Sequence, residues 1–204
     1  MFEASYYARL LIRGQIIIAP TETCYAFAAN ALEPAAVETI QHLKARDGHP
    51  IGLLVKDAAM ACRLARVEPF YHDLMAEFWP GPLTMALPTD YPFPSQLNQG
   101  VSTIAMRQSP HPFWRDLFEL IDFPVTATSV NKHGLNEIYD LRELARQFVK
   151  DELNAVALIV DNGQLPRALP STVIDCQSKT PALIRSGPVA WSLIETRFNE
   201  MKNE

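Results

Sequence analysis

The sequence predicts a mixed α/β fold, and three observations support this. Short apolar runs rich in β-formers alternate with segments of helical periodicity. Hydrophobic residues make up 48% of the 204 residues, which is enough for a core that needs neither disulfide nor metal. The 16 prolines, many beside strand ends, separate the elements. We therefore expect residues 1–204 to form one domain in which helices pack against a sheet, with the strand order left open.

The first third of the chain sets this alternation. Helical spacing of apolar residues predicts a helix over 4–12. "QIIIA" (15–19) predicts a buried strand, because three successive isoleucines leave no polar face. "PAAVETIQHLKAR" (34–46) predicts a helix, because its proline suits the first position of a helix. "IGLLV" (51–55) predicts a second buried strand, followed by a helix over about 57–66.

The remaining elements continue the alternation. "DLMAEFWPGPLTMAL" predicts a helix that Pro80, Gly81 and Pro82 end, followed by a strand. Further strands are predicted at 103–107, 125–130, 155–160, 171–175 and 182–185. Further helices are predicted at 111–121, 141–149 and 189–201.

Charge and cysteine content restrict the class of protein. The formal net charge of -5 argues against a globally basic nucleic-acid binder but leaves room for a local basic cleft. The three cysteines are far apart in sequence, which indicates unpaired thiols in a reducing compartment. No stretch approaches the roughly 18 apolar residues of a membrane helix. The sequence therefore predicts a soluble, cytoplasmic protein that does not bind membranes.

Hydroxyl groups and cations recur where the predicted strands end. Ligands of α/β proteins gather at such ends, since loops there present side chains and backbone N–H groups. The residues concerned, together with two cations at the end of the helix over 34–46, are Thr21, Thr23, Lys44, Arg46, Thr103, Arg107, Ser129, Asn131, Ser171 and Arg185. Arginine forks suit phosphate or carboxylate oxygens. The pattern therefore predicts an anion site for a phosphorylated small molecule or for the RNA backbone.

Several common sites are excluded by missing motifs. The sequence has neither G-x-x-x-x-G-K-[ST] nor G-x-G-x-x-G, so neither a P-loop nor a dinucleotide-binding turn is present. It has no H-E-x-x-H zinc motif and no G-x-S-x-G nucleophile elbow. Cys24 is therefore interpreted as a buried thiol rather than a nucleophile.

"PTETCYAFAANAL" resembles the P-T-E-T-V-Y-G-L-G-A-N-A signature of the YrdC-like family, the threonylcarbamoyl-AMP synthases. Other segments resemble further motifs of this family in the same order along the chain. These segments are "LKARDGHPIGLLV", "WPGPLTMAL", "STIAMRQSPHP", "PVTATSVNKHG", "PSTVIDC" and "LIRSGPV". They span about residues 14–188, and the ordered set is far more specific than any one motif.

The resemblance implies a twisted mixed β-sheet with flanking helices around a positively lined concave cavity. It also implies a nucleotidyltransferase that condenses L-threonine, bicarbonate and ATP into threonylcarbamoyl-AMP and pyrophosphate. Mg²⁺ is expected to accompany ATP. Other proteins would then transfer the threonylcarbamoyl group to tRNA, which makes those transfer proteins, and tRNA itself, the expected partners.

The resemblance also implies roles for individual residues. Thr23, Arg107 and Ser171 would bind L-threonine. The ATP-binding residues would be Lys44, Arg46, Thr103, Ser129, Asn131 and Arg185. Lys44, Arg46 and Arg107 would be catalytic through charge neutralisation, because the reaction brings two anions together. Glu22, the one acid of the signature, would orient a cation.

Several positions depart from the family motifs. Ala26-Phe27-Ala28 replaces G-L-G, Asp47 replaces a proline, and His133 replaces a serine. The proline expected after Arg107 is shifted by one, giving Ser109-Pro110. These departures leave a second interpretation open, namely a divergent paralogue that binds tRNA or double-stranded RNA, or a regulatory module, with little or no synthase activity.

Overall fold

The computed structural model describes residues 4–45 and 48–201, and helices and strands alternate along the chain as expected. The α-helices are α1 (Ala4–Ile12), α2 (Pro34–Leu43), α3 (Ala58–Leu64), α4 (Pro69–Phe78), α5 (Ser95–Asn98), α6 (Pro112–Phe118), α7 (Lys150–Leu153) and α8 (Trp191–Met201). The strands are β1 (Ile16–Pro20), β2 (Tyr25–Ala28), β3 (Leu53–Leu54), β4 (Leu83–Pro88), β5 (Thr103–Arg107), β6 (Val125–Thr126), β7 (Thr128–Ser129), β8 (Val156–Ile159), β9 (Thr172–Asp175) and β10 (Ala182–Arg185).

The strands are divided between two mixed sheets. A four-stranded sheet has the order β7-β2-β1-β8, and a six-stranded sheet has the order β10-β9-β4-β5-β3-β6. Each contains parallel pairs, β1 with β8 in the first and β3 with β5 and β4 with β9 in the second. The prediction of an α/β fold with a mixed sheet is confirmed, and helices flank both sheets.

The opening motif forms a hairpin in the middle of the smaller sheet. All five residues of β1 are buried, as the run of isoleucines predicted. β1 pairs antiparallel with β2, with Ile17 opposite Ala28 and Pro20 opposite Tyr25. Its other edge pairs with β8, so both faces and both edges of β1 are covered. This central position explains why the segment is wholly apolar before Thr21.

The segment 125–130, predicted as one strand, joins the two sheets instead. β6 pairs with β3 in the larger sheet, and β7 pairs with β2 in the smaller one. Between them, the Ala127 N–H donates to the Gly52 carbonyl at 2.8 Å. The prediction of a continuous strand was wrong because a period-two pattern does not reveal a change of partner from one sheet to the other.

Other boundaries also differ from prediction. α2 ends at Leu43 rather than at Arg46, since Ala45 has a positive φ of 46° that a helix does not allow. The helix predicted over 141–149 is a 3-10 helix, Leu141–Arg146, followed by the separate α7. The short helix α5 was not predicted. β10 is exposed along its length because it lies at the edge of the larger sheet.

The core fills the space between the sheets and their helices. Trp114 of α6 is 1% exposed, and its indole N–H donates to the Pro20 carbonyl at the end of β1 at 2.8 Å. This bond satisfies a buried polar group and fixes the start of the turn that follows β1. None of the helices in the described ranges is long and apolar enough to cross a membrane.

Candidate functional site

A cavity of about 450 Å³ lies between the two sheets. Part of its wall is one face of the larger sheet, where side chains alternate along each strand. Thr84 and Ala86 of β4 and Thr103, Ala105 and Arg107 of β5 line the cavity. The intervening residues of these strands are buried in the core. Small side chains along this face leave room for a ligand, and Arg107 places a charge at the end of β5.

The turn between β1 and β2 closes one side of the cavity. The Thr21 hydroxyl donates to the Cys24 carbonyl at 2.7 Å and accepts from the N–H groups of Thr23 and Cys24 at 3.1 Å. The Thr21 side chain therefore holds the turn in one conformation. Thr23 and Cys24 are presented to the cavity as a result.

Arg107 is 8% exposed and forms an ion pair with Glu22 of the same turn. The Ser109 hydroxyl donates to the other Glu22 oxygen at 2.6 Å. Burial, with a smaller contribution from nearby Arg185, lowers the pKa of the Arg107 guanidinium to about 10. The adjacent Glu22 carboxylate favours the charged form, so Arg107 is a cation at neutral pH. Glu22 thus orients a cation, as the sequence suggested.

Arg185 and Ser171 form a second polar group on the wall. The Arg185 Nε and Nη2 donate to the Ser171 carbonyl at 3.0 and 2.9 Å, and Nη2 also lies 3.1 Å from the Ser171 hydroxyl. The Ser171 and Thr84 hydroxyls are 2.8 Å apart. Although Arg185 is exposed at the rim, partial desolvation of its guanidinium lowers its pKa. The result is a guanidinium held beside two hydroxyls.

Lys44, one of the residues expected to bind ATP, lies outside the cavity lining. Its side chain is buried, and its ammonium donates to the Ser129 carbonyl at 2.5 Å and to the carbonyl and amide oxygens of Asn131 at 3.0 Å each. The Ser129 hydroxyl also bonds the Asn131 amide oxygen, at 2.6 Å. Lys44 and Asn131 therefore fix the turn that carries Ser129, and neither belongs to the cavity lining. The acceptors of the Lys44 ammonium include backbone carbonyl groups, whose positions a sequence motif does not predict.

The structure thus gathers most of the predicted site residues. Those that line the cavity are Thr21, Thr23, Thr103, Arg107, Ser129, Ser171 and Arg185. Arg46 lies outside the described residues. Within the described ranges, the cationic side chains of the lining are those of Arg107 and Arg185, so two of the four predicted cations face the same space.

Comparison with known proteins supports the resemblance to the YrdC-like family, both in sequence and in fold. The sequence model of the Sua5/YciO/YrdC family, described as "Telomere recombination", matches residues 9–187. The chain belongs to this family. The threonylcarbamoyl-AMP synthase of Pyrococcus abyssi is 31% identical over 197 residues, which cover 96% of this chain and 57% of that protein. The chain therefore spans little more than half the length of this relative.

Solved structures of Sua5/YciO/YrdC proteins have the same fold. The structure of P. abyssi Sua5 in complex with L-threonine matches with a TM-score of 0.84 and 31% identity, over 95% of this chain and 56% of that one. The structure of E. coli YciO matches with a TM-score of 0.79 and 28% identity, over 92% of this chain and 90% of that one. These matches confirm the α/β architecture.

Three of the four departures from the Sua5/YciO/YrdC motifs have local explanations, and the fourth, Asp47, lies outside the described residues. Ala26 and Ala28 lie in an extended strand, where no left-handed conformation is required. The Ala26 methyl group borders the cavity and narrows it, whereas Ala28 is in the core. Ser109 holds Glu22, as described above. The His133 ring stacks on His49 with ring centres 5.0 Å apart, and the His133 N–H donates to the Lys44 carbonyl at 2.8 Å.

Some lining residues were not identified from the sequence. Thr84 is the threonine of "WPGPLT". It lines the cavity together with Ala86 of the same strand, and the alternation of side chains along "LTMAL" could have placed the two on one face. Glu137 and Tyr139 come from a segment without regular structure, where no periodicity indicates direction. Cys24 also lines the cavity, and burial raises the pKa of its thiol to about 11. Its interpretation as a buried thiol is confirmed, since Cys24 is a free cysteine with a buried side chain.

Proposed function

We propose that this chain is an L-threonylcarbamoyladenylate synthase, a nucleotidyltransferase that condenses L-threonine, bicarbonate and ATP to threonylcarbamoyl-AMP and pyrophosphate. The observation that carries the proposal is the arrangement of Arg107 and Arg185 with the hydroxyls of Thr23 and Ser171 around one cavity. Membership of the family and the L-threonine complex of P. abyssi Sua5 support the same conclusion. The product would serve threonylcarbamoyl modification of tRNA.

L-threonine would bind at the end of the cavity formed by Thr23, Arg107 and Ser171. Glu22 and Ser109 hold the Arg107 guanidinium in place before any ligand binds. A fixed guanidinium can clamp a carboxylate without losing rotamer entropy on binding. The Thr23 and Ser171 hydroxyls would hydrogen-bond the remaining polar atoms of the amino acid.

ATP would bind along Thr103, Ser129 and Arg185, with Arg46 as a further phosphate ligand. Lys44 would act from behind the site, because its ammonium fixes the turn that presents Ser129. We propose that ATP enters as its Mg²⁺ complex. In such complexes Mg²⁺ takes most of its oxygen ligands from phosphates and water. Within the described ranges no three metal-ligating side chains of His, Cys, Asp or Glu cluster together.

In the proposed reaction a carbamate oxygen of N-carboxythreonine attacks the α-phosphorus of ATP. The new P–O bond forms as the bond to the bridging oxygen of pyrophosphate breaks, and pyrophosphate leaves with that electron pair. Because two anions must approach, fixed cations such as Arg107 and Arg185 supply the main stabilisation. The cavity positions the reactants. No protein nucleophile takes part, in agreement with the protonated thiol of Cys24.

Pyrophosphate release tests the proposal directly. With MgATP, we expect release that requires both L-threonine and bicarbonate, and we expect mass spectrometry to detect threonylcarbamoyl-AMP. D-threonine and L-valine serve as matched controls, since each lacks either the correct configuration or the hydroxyl. Pyrophosphate release that is indifferent to L-threonine would contradict the proposed function.

The size of the cavity favours a small-molecule substrate over an RNA-binding role. Its volume of about 450 Å³ suits a nucleotide or an amino acid. The two arginines among its lining residues border one concave space, whereas RNA binding needs cations spread along an open surface. We therefore place tRNA and the transfer proteins downstream of the product. We also propose that residues 1–204 act as one domain in the cytoplasm.

A further inference from the structure

Glu137 is placed on the cavity wall by the strand next to it. The Tyr25 N–H at the start of β2 donates to the Ile138 carbonyl at 3.1 Å. Ile138 is fully buried, so its side chain points into the core. The residues on either side, Glu137 and Tyr139, line the cavity. A half-buried carboxylate is thereby held against the site by a backbone bond to the family's signature hairpin.

The two carboxylates near the site differ in their partners. Glu22 is committed to Arg107 and Ser109. Across residues 4–45 and 48–201, by contrast, no hydrogen bond or ion pair engages the side chain of Glu137. Its charge nevertheless acts on Cys24, Tyr139 and Arg185. A partly buried carboxylate that faces a cavity, and that has no donor among the described residues, is suited to a donor on the ligand.

We infer that Glu137 binds the α-ammonium group of the incoming L-threonine, a role that rests on the proposed function. L-threonine is a zwitterion at neutral pH, so its binding site must match a carboxylate and an ammonium group on the same carbon atom. Arg107 supplies the cation for the first group, and Glu137 supplies the anion for the second. Neutral hydroxyls alone would leave the ammonium charge uncompensated on leaving water.

The surroundings of Glu137 assign it to the amino-acid end of the cavity. The charge of Glu137 contributes to the raised pKa of Cys24, and Cys24 directly follows Thr23 in the turn. Arg185, proposed above as an ATP ligand, also interacts with the Glu137 charge, and its guanidinium donates to the carbonyl of Ser171 at the amino-acid end. Thr23 and Ser171 are the hydroxyls proposed to contact L-threonine. A role on ribose hydroxyls or on Mg²⁺ would instead couple Glu137 to ATP, and the test below separates these outcomes.

Isothermal titration of Glu137→Gln with three ligands tests the inference. The ligands are L-threonine, 3-hydroxybutyrate, which keeps the carboxylate and hydroxyl but lacks the amine, and MgATP. We expect the Kd for L-threonine to rise roughly tenfold to a hundredfold with the loss of a charge-assisted bond. Both anionic ligands should bind as well as before or more tightly, because the substitution removes a negative charge. Glu195→Gln, an exposed change on α8, is the matched control and should alter none of these values.

Each other result has a distinct meaning. Equal weakening of all three ligands would indicate damage to the fold and overturn the inference, as would unchanged affinity for L-threonine. Weakened MgATP alone would assign Glu137 to the nucleotide and also overturn it. When one of these contradicting results is found and the wild-type protein still releases pyrophosphate in a threonine-dependent manner, the inference fails and the proposed function stands. If the wild-type protein binds no L-threonine, both the inference and the proposed function fail.

Discussion

At the scale of single residues, Arg107 and Glu22 form a largely buried ion pair beside the cavity. Their side chains are 9% and 17% exposed, so neither charge is well solvated by water. Removing one partner of such a pair leaves the other uncompensated, and this costs far more than the intact pair contributes. Ser109 adds a hydrogen bond that Glu22 needs for its second oxygen. The pair therefore fixes a guanidinium at the cavity and makes stability depend on both members.

Glu22→Gln should therefore lower both stability and affinity for L-threonine. We expect the free energy of unfolding to fall by about 2–4 kcal/mol, since the Arg107 charge loses its partner. Denaturant unfolding measures this change, and titration with L-threonine measures the affinity. Glu119→Gln is the control, because Glu119 pairs with Lys56 on the surface with 67% of its side chain exposed. A loss no larger than in the control would contradict the burial argument.

The thiol of Cys24 should be unreactive at neutral pH. Burial raises its pKa to about 11, and only the thiolate reacts with iodoacetamide. The labelling rate at Cys24 should rise about tenfold per pH unit from pH 7 up to about 10. Peptide mass spectrometry reads each cysteine separately, with exposed Cys62 as the internal reference. Rapid labelling of Cys24 at pH 7, ahead of Cys62, would contradict the protonated state.

At the scale of elements, the site depends on two segments that are held by contacts with distant parts of the chain. Loop 161–170 is bound to the signature hairpin through Tyr25, whose hydroxyl donates to the Gly163 carbonyl at 2.7 Å and accepts from the Asn162 N–H at 2.9 Å. The start of β9 packs on the chain that follows β10, with Gly187 at the contact. Both segments bring Ala168, Pro170 and Ser171 to the cavity wall.

Gly187→Ala should disrupt the wall without touching any ligand. A Cβ at this position would lie 2.3 Å from the Thr172 nitrogen and 2.4 Å from the Pro170 carbonyl oxygen. Because both neighbours are backbone atoms, Ser171 and Arg185 must shift, and we expect a loss of about 1–3 kcal/mol. The Tm of thermal unfolding should fall, and so should the rate of the proposed threonine-dependent pyrophosphate release.

Gly52→Ala is the matched control for Gly187→Ala. Its added Cβ would meet its nearest neighbour, the Ala105 carbonyl oxygen, at an ordinary 3.7 Å. Because Gly52 also lines the cavity, this change should fill space at the site and raise KM while stability stays within about 0.5 kcal/mol of wild type. Equal stability of the two variants would contradict the proposed role of Gly187.

Tyr25→Phe should loosen loop 161–170 while leaving the core packed. The change keeps the buried ring and removes the hydroxyl, which costs about 1 kcal/mol for the two loop bonds. Hydrogen exchange of the Asn162 and Gly163 amides should quicken, as followed by mass spectrometry. Tyr6→Phe, at a site 42% exposed, should change neither quantity. Unaltered exchange in Tyr25→Phe would mean that other contacts hold the loop.

At the scale of the whole molecule, the cavity is the place where the two sheets meet. β6 and β7 belong to different sheets and are separated by Ala127, which itself lines the cavity. Thr23 and Ser129 reach it from the smaller sheet, and Arg107, Ser171 and Arg185 reach it from the larger one. A ligand that contacts both sets joins the two sheets.

Ligands should therefore stabilise the entire fold rather than one sheet. At a hundredfold excess over Kd, a ligand that binds only the folded state adds about 2.7 kcal/mol. For a chain of this size that corresponds to a rise in Tm of roughly 5–10 °C. Differential scanning calorimetry with MgATP and L-threonine measures the shift, with D-threonine as the control. Two separate transitions, of which ligand moves only one, would show that the sheets unfold independently.

The sequence by itself determined the alternation of strands and helices, the signature hairpin and several of the polar residues that line the site. These features are local, since apolar periodicity and motif spacing act within a few residues of the chain. Strands such as β5 and β10, "TIAMR" and "ALIR", were therefore predicted with their observed bounds. The ordered motifs likewise predicted the family to which the chain belongs.

Only the tertiary structure decided which side chains meet. Glu22 and Ser109 are 87 residues apart, and Lys44 and Ser129 are 85 apart. Their contacts depend on how both sheets pack, and no local pattern encodes that packing. Because this packing is not encoded locally, the sequence did not predict that Lys44 contacts backbone carbonyls or that Glu137 lines the cavity. Side-chain direction at a site is set by the whole fold, whereas residue type and spacing are written along the chain.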